Sequence, residues 1–361
     1  MLGKIFLVDL TTATIENIDA LTPQLTLLGR IAEANGARLM LCSVIEPPPV
    51  NESRIAVEDR VLKIRKQKAE FFLQQLVHQT STDSEVEHVV MVGKAFIAIS
   101  QLVMTRQIRL VVSFAAHGIE HPVNSRLMHL VRKCPSTVWL WSDIANRSKR
   151  PGPLHVVVAI DRDIFPGSGT ADDMANRLLN AALIAAGHAE AHITLVHAWS
   201  PYGLDVLNDC AIALEPKMMR DYIDGQRFAQ TLWLDERHAG LREFIAEHPN
   251  GARITTAREL LDGAPAEVIP DWLESHDADL LVLGTIGTGA VPGQLIGDTA
   301  ETLLLRTRMP VLTVKPADFR SPVMVPQSLP GDHSAIDQGS HAAAHAAALA
   351  TRSLRSRNPM R

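Results

Sequence analysis

The densest group of chemistry-bearing positions is the run 279–305, DLLVLGTIGTGAVPGQLIGDTAETLLL, with glycines at 284, 287, 289, 293 and 297. Glycine-rich backbone lets several N–H groups close on one anion. The helix expected from about Asp298 to Arg306 adds its own N-terminal donors and dipole. Together these would make a phosphate cradle, with a flexible connecting loop as the other reading of the same glycines. The run is not a Walker A loop, because the Lys-Ser/Thr end is missing, and Gly284, Gly287 and Gly289 do not have G-x-G-x-x-G spacing. Asp161 ends the apolar run HVVVAID, and with Asp163, Asp172 and Asp173 it forms an acidic group that also fits ordinary strand ends and helix starts. His117 and His121 lie four apart but lack a third metal ligand. No G-x-S-x-G elbow or H-E-x-x-H helix occurs, and Cys42, Cys134 and Cys210 are too far apart for a zinc clip. No catalytic residue and no metal site are therefore predicted.

The elements that must position these residues follow from hydrophobic periodicity. Buried-strand runs at 4–10, 37–48, 85–91, 108–114 and 134–141 alternate with helical stretches. The same order recurs at 155–161, 191–201, 252–257, 278–285 and 309–315. Such alternation predicts an α/β fold with parallel sheets covered by helices on both faces. The repeat gives two tandem Rossmann-like domains of five strands each, doubly wound. The expected boundaries are 1–145 for the first domain, 146–153 for a charged, Pro/Gly-rich linker, 154–316 for the second, and 317–361 for a disordered tail. The tail is rich in Pro, Gly, Ser and Ala and buries too little to offset its ordering entropy.

Composition excludes several classes. The 361 residues are 46% hydrophobic and 21% charged, with a net charge of -5 and only 4% aromatic residues. No direct nucleic-acid binding is expected from that charge and that shortage of stacking side chains. No apolar run reaches the length of a membrane span. The start, MLGKIFLVDL, lacks the features of a signal peptide, and the odd, scattered cysteines suit a reducing compartment. A cytoplasmic protein is expected.

The spacing Gly284-x2-Gly287-x9-Gly297 resembles the nucleotide loop of the universal stress protein family. Gly263-Ala-Pro-Ala-Glu-Val-Ile269 resembles a helix start of that family, Ala278-Asp-Leu-Leu-Val-Leu-Gly284 its strand before the loop, and Thr299-Ala-Glu301 and Met309-Pro-Val-Leu-Thr-Val314 its final helix and strand. The order of elements resembles a tandem-domain bacterial member of that family over 1–316, with the motifs concentrated in 155–316. The resemblance implies an adenine-nucleotide alpha-hydrolase-like fold. It implies Asp161, His197 and Ala198 at an adenine pocket, and Gly284, Thr285, Gly287, Gly289, Gly297, Asp298 and Thr299 toward the phosphates. ATP or a related nucleotide would bind the C-terminal domain only, with Mg present only together with nucleotide. It also implies that the closing strands, Thr137–Trp141 and Val311–Lys315, pair across the two halves as an intramolecular pseudo-dimer, with Trp139 and Trp141 near the junction. The same edge logic leaves room for a homodimer of the whole chain.

Two departures qualify the site. Family ATP binders usually carry Ser or Thr where this chain has Asp298. A carboxylate about 4 Å from a phosphate at an effective dielectric near 20 is repelled by about 4 kcal/mol, roughly a thousandfold in affinity. Alternatively, and preferably, Asp298 caps its helix through the N–H of Ala300 or Glu301. The first half keeps only Gly118 of the loop and is five residues shorter between strand and proline, so it is read as a degenerate pairing domain. The expected function is a non-enzymatic stress-response protein with a ligand-binding C-terminal domain. The alternatives are a slow ATPase using Asp161 as base, and a carrier of an apolar or lipid-like metabolite lined by Pro216–Phe244.

Overall fold

The computed structural model describes residues 4–47, 55–80, 85–106, 108–114, 124–141, 152–162, 170–203, 215–286 and 294–325. The first half runs β1 (Lys4–Asp9), α1 (Ile18–Ala34), β2 (Ala37–Ile45), α2 (Ile55–Gln79), β3 (Glu87–Val92), α3 (Ala95–Arg106), β4 (Leu110–Phe114), α4 (Ser125–Lys133) and β5 (Thr137–Trp141). The second runs β6 (Leu154–Ala159), α5 (Thr170–Ala186), β7 (Ala191–Trp199), α6 (Pro216–Ala246), β8 (Ile254–Asp262), α7 (Pro265–Ser275), β9 (Leu280–Gly284), α8 (Asp298–Arg306) and β10 (Val311–Val314).

All ten strands share one sheet, ordered β3-β2-β1-β4-β5-β10-β9-β6-β7-β8. Within each half every neighbouring pair is parallel. The two closing strands β5 and β10 pair antiparallel, with Trp139 opposite Leu312. Each half is thus a doubly wound, five-stranded parallel sheet whose order reverses at its first strand, the arrangement that opens a crevice at the carboxyl ends.

Near-continuous β-branched and aliphatic runs make strands buried on both faces. Val156, Val157 and Val158 are all fully buried, as are Val111 and Val112. One face of the sheet is covered by α1, α2, α5 and α6, whose Leu25, Leu73, Ala182 and Leu241 share a core with Val8, Trp139, Val158 and Leu312. The other face is covered by α3, α4, α7 and α8, whose Ile99, Leu130, Leu273 and Leu304 pack with Leu7, Val138, Val157 and Val311. Both cores run through the junction of the halves without a break.

Side chains fasten that junction. Thr313 donates from Oγ1 to the Val138 carbonyl at 3.0 Å, and Asn35 Nδ2 to the Ile184 carbonyl at 3.1 Å. Arg132 on α4 pairs with Glu301 on α8. Trp139 and Trp141 pack tilted at 57° with ring centroids 4.8 Å apart, and Trp141 Nε1 donates to buried Gln24 at 2.8 Å.

Two expectations change. β8, predicted over 252–257, continues to Asp262, because its ladder with β7 runs unbroken to the pair Trp199–Asp262. Residues 317–325 do not belong with a disordered tail. Ser321 Oγ donates to the Lys133 carbonyl at 2.7 Å, and Gln101 Nε2 to the Met324 carbonyl at 2.9 Å. The Gln101 side chain of α3 and the Lys133 carbonyl of α4 supply the hydrogen bonds that composition alone could not foretell. The rest of the predicted tail, 326–361, lies outside the described residues, as does 146–151 of the predicted linker.

Candidate functional site

The carboxyl ends of β6, β7 and β9 meet the start of α8 at one end of the second half. α8 begins at Asp298 and its N-cap is Gly297, which offers no side-chain hydrogen bond. The preferred capping role for Asp298 is therefore corrected. Gly297 takes the extended conformation that precedes the helix, so Asp298 falls one position too late to reach back as a cap. It is exposed in the first turn, where the helix dipole favours its charge. Thr299, the second helical residue, is exposed as well.

Thr285 ties the two ends of the glycine run together. It is fully buried, its N–H donates to the Val314 carbonyl at 3.0 Å, and its own carbonyl accepts from Gly297 N–H at 2.7 Å. Its hydroxyl is aimed at the Val314 carbonyl, 3.3 Å away, so Thr285 holds the loop rather than presenting a donor to a ligand. Ile296, buried beside Ala198 and Ala300, anchors the return of the loop. At Gly284 an added Cβ would stand 2.7 Å from Met174 Cε of α5, so the bare backbone lets that helix approach. Gly263, with φ at 132°, turns β8 into α7 and donates its N–H to the Trp199 carbonyl at 2.8 Å. Gly287, Gly289 and Gly293 lie outside the described residues, as do Asp163, Gly118, His117, His121 and Cys210.

Asp161 stands two residues past the end of β6, exposed, where its charge favours the protonated form of His197. Burial acts more strongly and pushes the His197 pKa below its ordinary value. The ring donates from Nδ1 to the Ile160 carbonyl at 3.1 Å and meets Trp233 edge-on at 4.8 Å. Nε2 has no hydrogen bond within normal limits, although Gln230 lies close enough to favour the charged form. His197 and Ala198 are not brought together. Successive strand residues point to opposite faces, so His197 faces α6 whereas Ala198 packs in the core beneath α7 and α8.

The first half fills the matching place with its own side chains. Asp9, at the end of β1, is buried and accepts four hydrogen bonds. Thr11 gives two to Oδ1, from N at 3.0 Å and Oγ1 at 2.6 Å. Ser113 Oγ and Arg126 Nη1 donate to Oδ2 at 2.7 and 2.8 Å. Arg126 is the second residue of α4, and Asn124 caps that helix through Leu127 N–H at 3.0 Å. Register sets the equivalents in the second half. Asp9 pairs with Cys42 and Ser113, and Ala159 pairs with Val196 and Leu283. Counting from the start of α8 puts Thr299 where Arg126 stands. A carboxylate, a guanidinium and a hydroxyl in one half are thus replaced by Ala159, Thr299 and Leu283 in the other.

Sequence reading passed over Asp9, Arg126 and Lys315. The Asp-x-Thr spacing at 9–11 is a side-chain-to-backbone turn signal that could have drawn attention to Asp9. Lys315 directly follows β10 and is almost wholly buried, with Nζ donating to the carbonyls of Leu295 at 3.1 Å and Arg132 at 3.3 Å and lying 4.2 Å from the Phe319 ring centre. Burial brings its pKa down to about 7. Its backbone carbonyl accepts from Arg177 Nε at 2.9 Å. Lys315 therefore links the return of the glycine run to α4 of the first half.

The apolar residues of α6 do not line an enclosed pocket: Met218, Tyr222, Phe228 and Leu232 are exposed. Among the described residues no group of three or more His, Cys, Asp or Glu is placed to hold a metal, and no helix is long and apolar enough to cross a membrane.

Comparison with known proteins agrees with this geometry. The profile of the Universal stress protein family matches residues 154–315. Universal stress protein E of Salmonella typhi is 27% identical over 201 residues, 54% of this chain and 56% of the relative. Its counterpart in Escherichia coli K12 is 26% identical over the same shares. The matched region thus spans about half the length of these curated relatives. Among solved structures, a universal stress protein from Archaeoglobus fulgidus superposes with a TM-score of 0.56 at 16% identity, covering 86% of this chain and 98% of that one. A Pseudomonas aeruginosa protein described as a putative universal stress protein gives 0.52 at 17% identity, with 88% and 94% covered. These two share the fold. The family profile covers the half that carries the glycine run, and that half, residues 154–315, matches the universal stress protein family.

Proposed function

We propose that the second half binds an adenine nucleotide or a related phosphorylated small molecule without turning it over, and that the first half acts as its fixed partner in an intramolecular pseudo-dimer. The carrying observation is the asymmetry between equivalent positions. Asp9, Arg126, Ser113 and Thr11 saturate one another in the first half, whereas Ala159, Leu283 and Thr299 leave no such network in the second. The start of α8 lacks a side-chain cap, so its leading N–H groups suit an anion. Asp161, beyond β6, is the residue to meet a base or sugar, and Gly297, Thr299 and the glycine run are those to meet phosphate.

Asp298 sets the strength of this site. Exposed at the first helical position, it repels a phosphate while adding nothing as a cap. Affinity is accordingly modest and favours ligands with fewer charges, AMP over ATP. Magnesium enters only with a di- or triphosphate, where its charge offsets that of Asp298.

The test is thermal unfolding with millimolar AMP, ADP and ATP, alongside phosphate release. A ligand at a hundred times its Kd stabilises by about 2.7 kcal/mol, a readily measured rise in Tm. The reading predicts a rise with AMP, a smaller one with ATP, and phosphate release at background. An unchanged melt with all three nucleotides would overturn it.

A further inference from the structure

Among the described residues, the longest helix leaves large apolar side chains exposed along one face, with Asp221 exposed among them. Along α6, Met218, Tyr222, Phe228 and Leu232 are 57%, 41%, 70% and 51% exposed. The other side of the helix buries Leu234, Leu241 and Ile245. The four exposed residues are placed symmetrically. Met218 and Leu232 lie seven residues to either side of Gly225, and Tyr222 and Phe228 lie three to either side. At 3.6 residues per turn all four project within about 60° of the direction of Gly225.

Among the described residues a Cβ at Gly225 would meet nothing within 4 Å, although glycine is the poorest helix former after proline. The bare position would let another backbone come close. A stripe that reads alike from either end matches an isologous contact, in which the same patch on two copies is self-complementary.

We propose that α6 is a self-association surface on which two copies of this chain pair antiparallel about Gly225. Met218 then lies on Leu232 of the second copy, Tyr222 on Phe228, and the glycine backbones meet at the two-fold axis. Charges at the ends of the stripe agree with this register. Lys217 and Glu236 are both exposed, eight residues before and eleven after Gly225. Antiparallel pairing sets Lys217 of one copy within three residues, about 4.5 Å along the axis, of Glu236 in the other, twice by symmetry. α2, the matching helix of the first half, has exposed Val61, Ile64 and Phe71 with Lys68 among them, but no central glycine about which they are placed symmetrically. The start of α8 lies on the other face of the sheet from this stripe.

Cysteine placed on the axis gives the sharpest test. In a Cys210→Ser background, Gly225→Cys brings two thiols together only if the helices cross there, since a disulfide needs Cα atoms within about 7 Å. Mild oxidation is expected to give a covalent dimer with Gly225→Cys and none with Lys68→Cys on α2. Sedimentation of the unmodified chain is expected to show a concentration-dependent dimer. Phe228→Glu should abolish it without moving the Tm measured at concentrations where the chain is monomeric, because Phe228 is exposed in the single chain. A chain that stays monomeric, a dimer that Phe228→Glu leaves intact, or equal cross-linking by Lys68→Cys would overturn the proposal. So would a monomer that pellets with phosphatidylcholine vesicles through this stripe.

Discussion

Arg126 donates from Nη1 to Asp9 Oδ2 at 2.8 Å, closing 117 residues of sequence into one ion pair at the end of β1. Asp9 is fully buried at its side chain and Arg126 mostly so. Removing one partner leaves a charge without its counter-charge in a desolvated site. Asp9→Ala is expected to cost about 3 kcal/mol in urea unfolding. Asp9→Ala with Arg126→Ala is expected to cost less than the sum of the single changes. Strictly additive losses would contradict the coupling.

In the proposed reading, Asp298 weakens ligand binding through its charge. Asp298→Ser removes a carboxylate from the start of α8 and supplies a hydroxyl that can donate. Titration calorimetry with ATP is expected to show tighter binding in the variant, by up to roughly a thousandfold if the full like-charge repulsion is relieved. The stability of the free protein should change little, since the side chain is exposed and is not the helix cap. Unchanged or weaker ATP binding would contradict this role.

Lys315 gives the junction a pH dependence. Its pKa falls from 10.5 in its ordinary state to about 7 in the fold, through burial. Between those values the unfolded chain carries a proton that the folded chain lacks. The contribution of Lys315 therefore becomes more favourable as pH rises from 7 toward 10, with a slope of at most about 1.4 kcal/mol per pH unit. Below pH 7 both states are protonated and the cost of burying the charge is paid in full. Lys315→Met is expected to remove this slope, read as Tm between pH 7 and 9.5, and to leave the variant relatively more stable at pH 6. Parallel profiles for the two proteins would contradict it.

Acid should loosen the second half. His155, His197 and His238 all have pKa values lowered chiefly by burial. Below about pH 6.5 the unfolded chain gains protons that these rings take up only at lower pH. Stability thus falls as pH drops through that range. His197→Gln should shrink the drop in Tm between pH 6.5 and 5.5, whereas an identical drop would exclude His197 as a contributor.

Much of the architecture was legible because its signals are local. The limits of α3 and α8 follow from apolar periodicity between breakers, and the strand runs are too apolar to be anything but buried. Features that depend on tertiary placement were not legible. Gly297 rather than Asp298 takes the N-cap, because backbone conformation decides which residue precedes the first turn. Lys315 becomes buried only once β10 meets β5 and α4 closes over it. Arg126 finds Asp9 across the whole first half, and no spacing rule spans that distance. The opposite facing of His197 and Ala198, by contrast, was already implied by the two-residue period of a strand.

The central claim is that one half of the chain is closed by its own ion pair and the other is open to a ligand. Titration calorimetry with AMP, on the unmodified chain and on Ala159→Asp combined with Thr299→Arg, tests it most directly. The double variant transplants the pair that Asp9 and Arg126 make. The account predicts one site per chain, unaffected by Asp9→Ala and lost in the transplant, whose fold is checked by circular dichroism. Two sites per chain, or AMP binding that survives the transplanted pair, would contradict it.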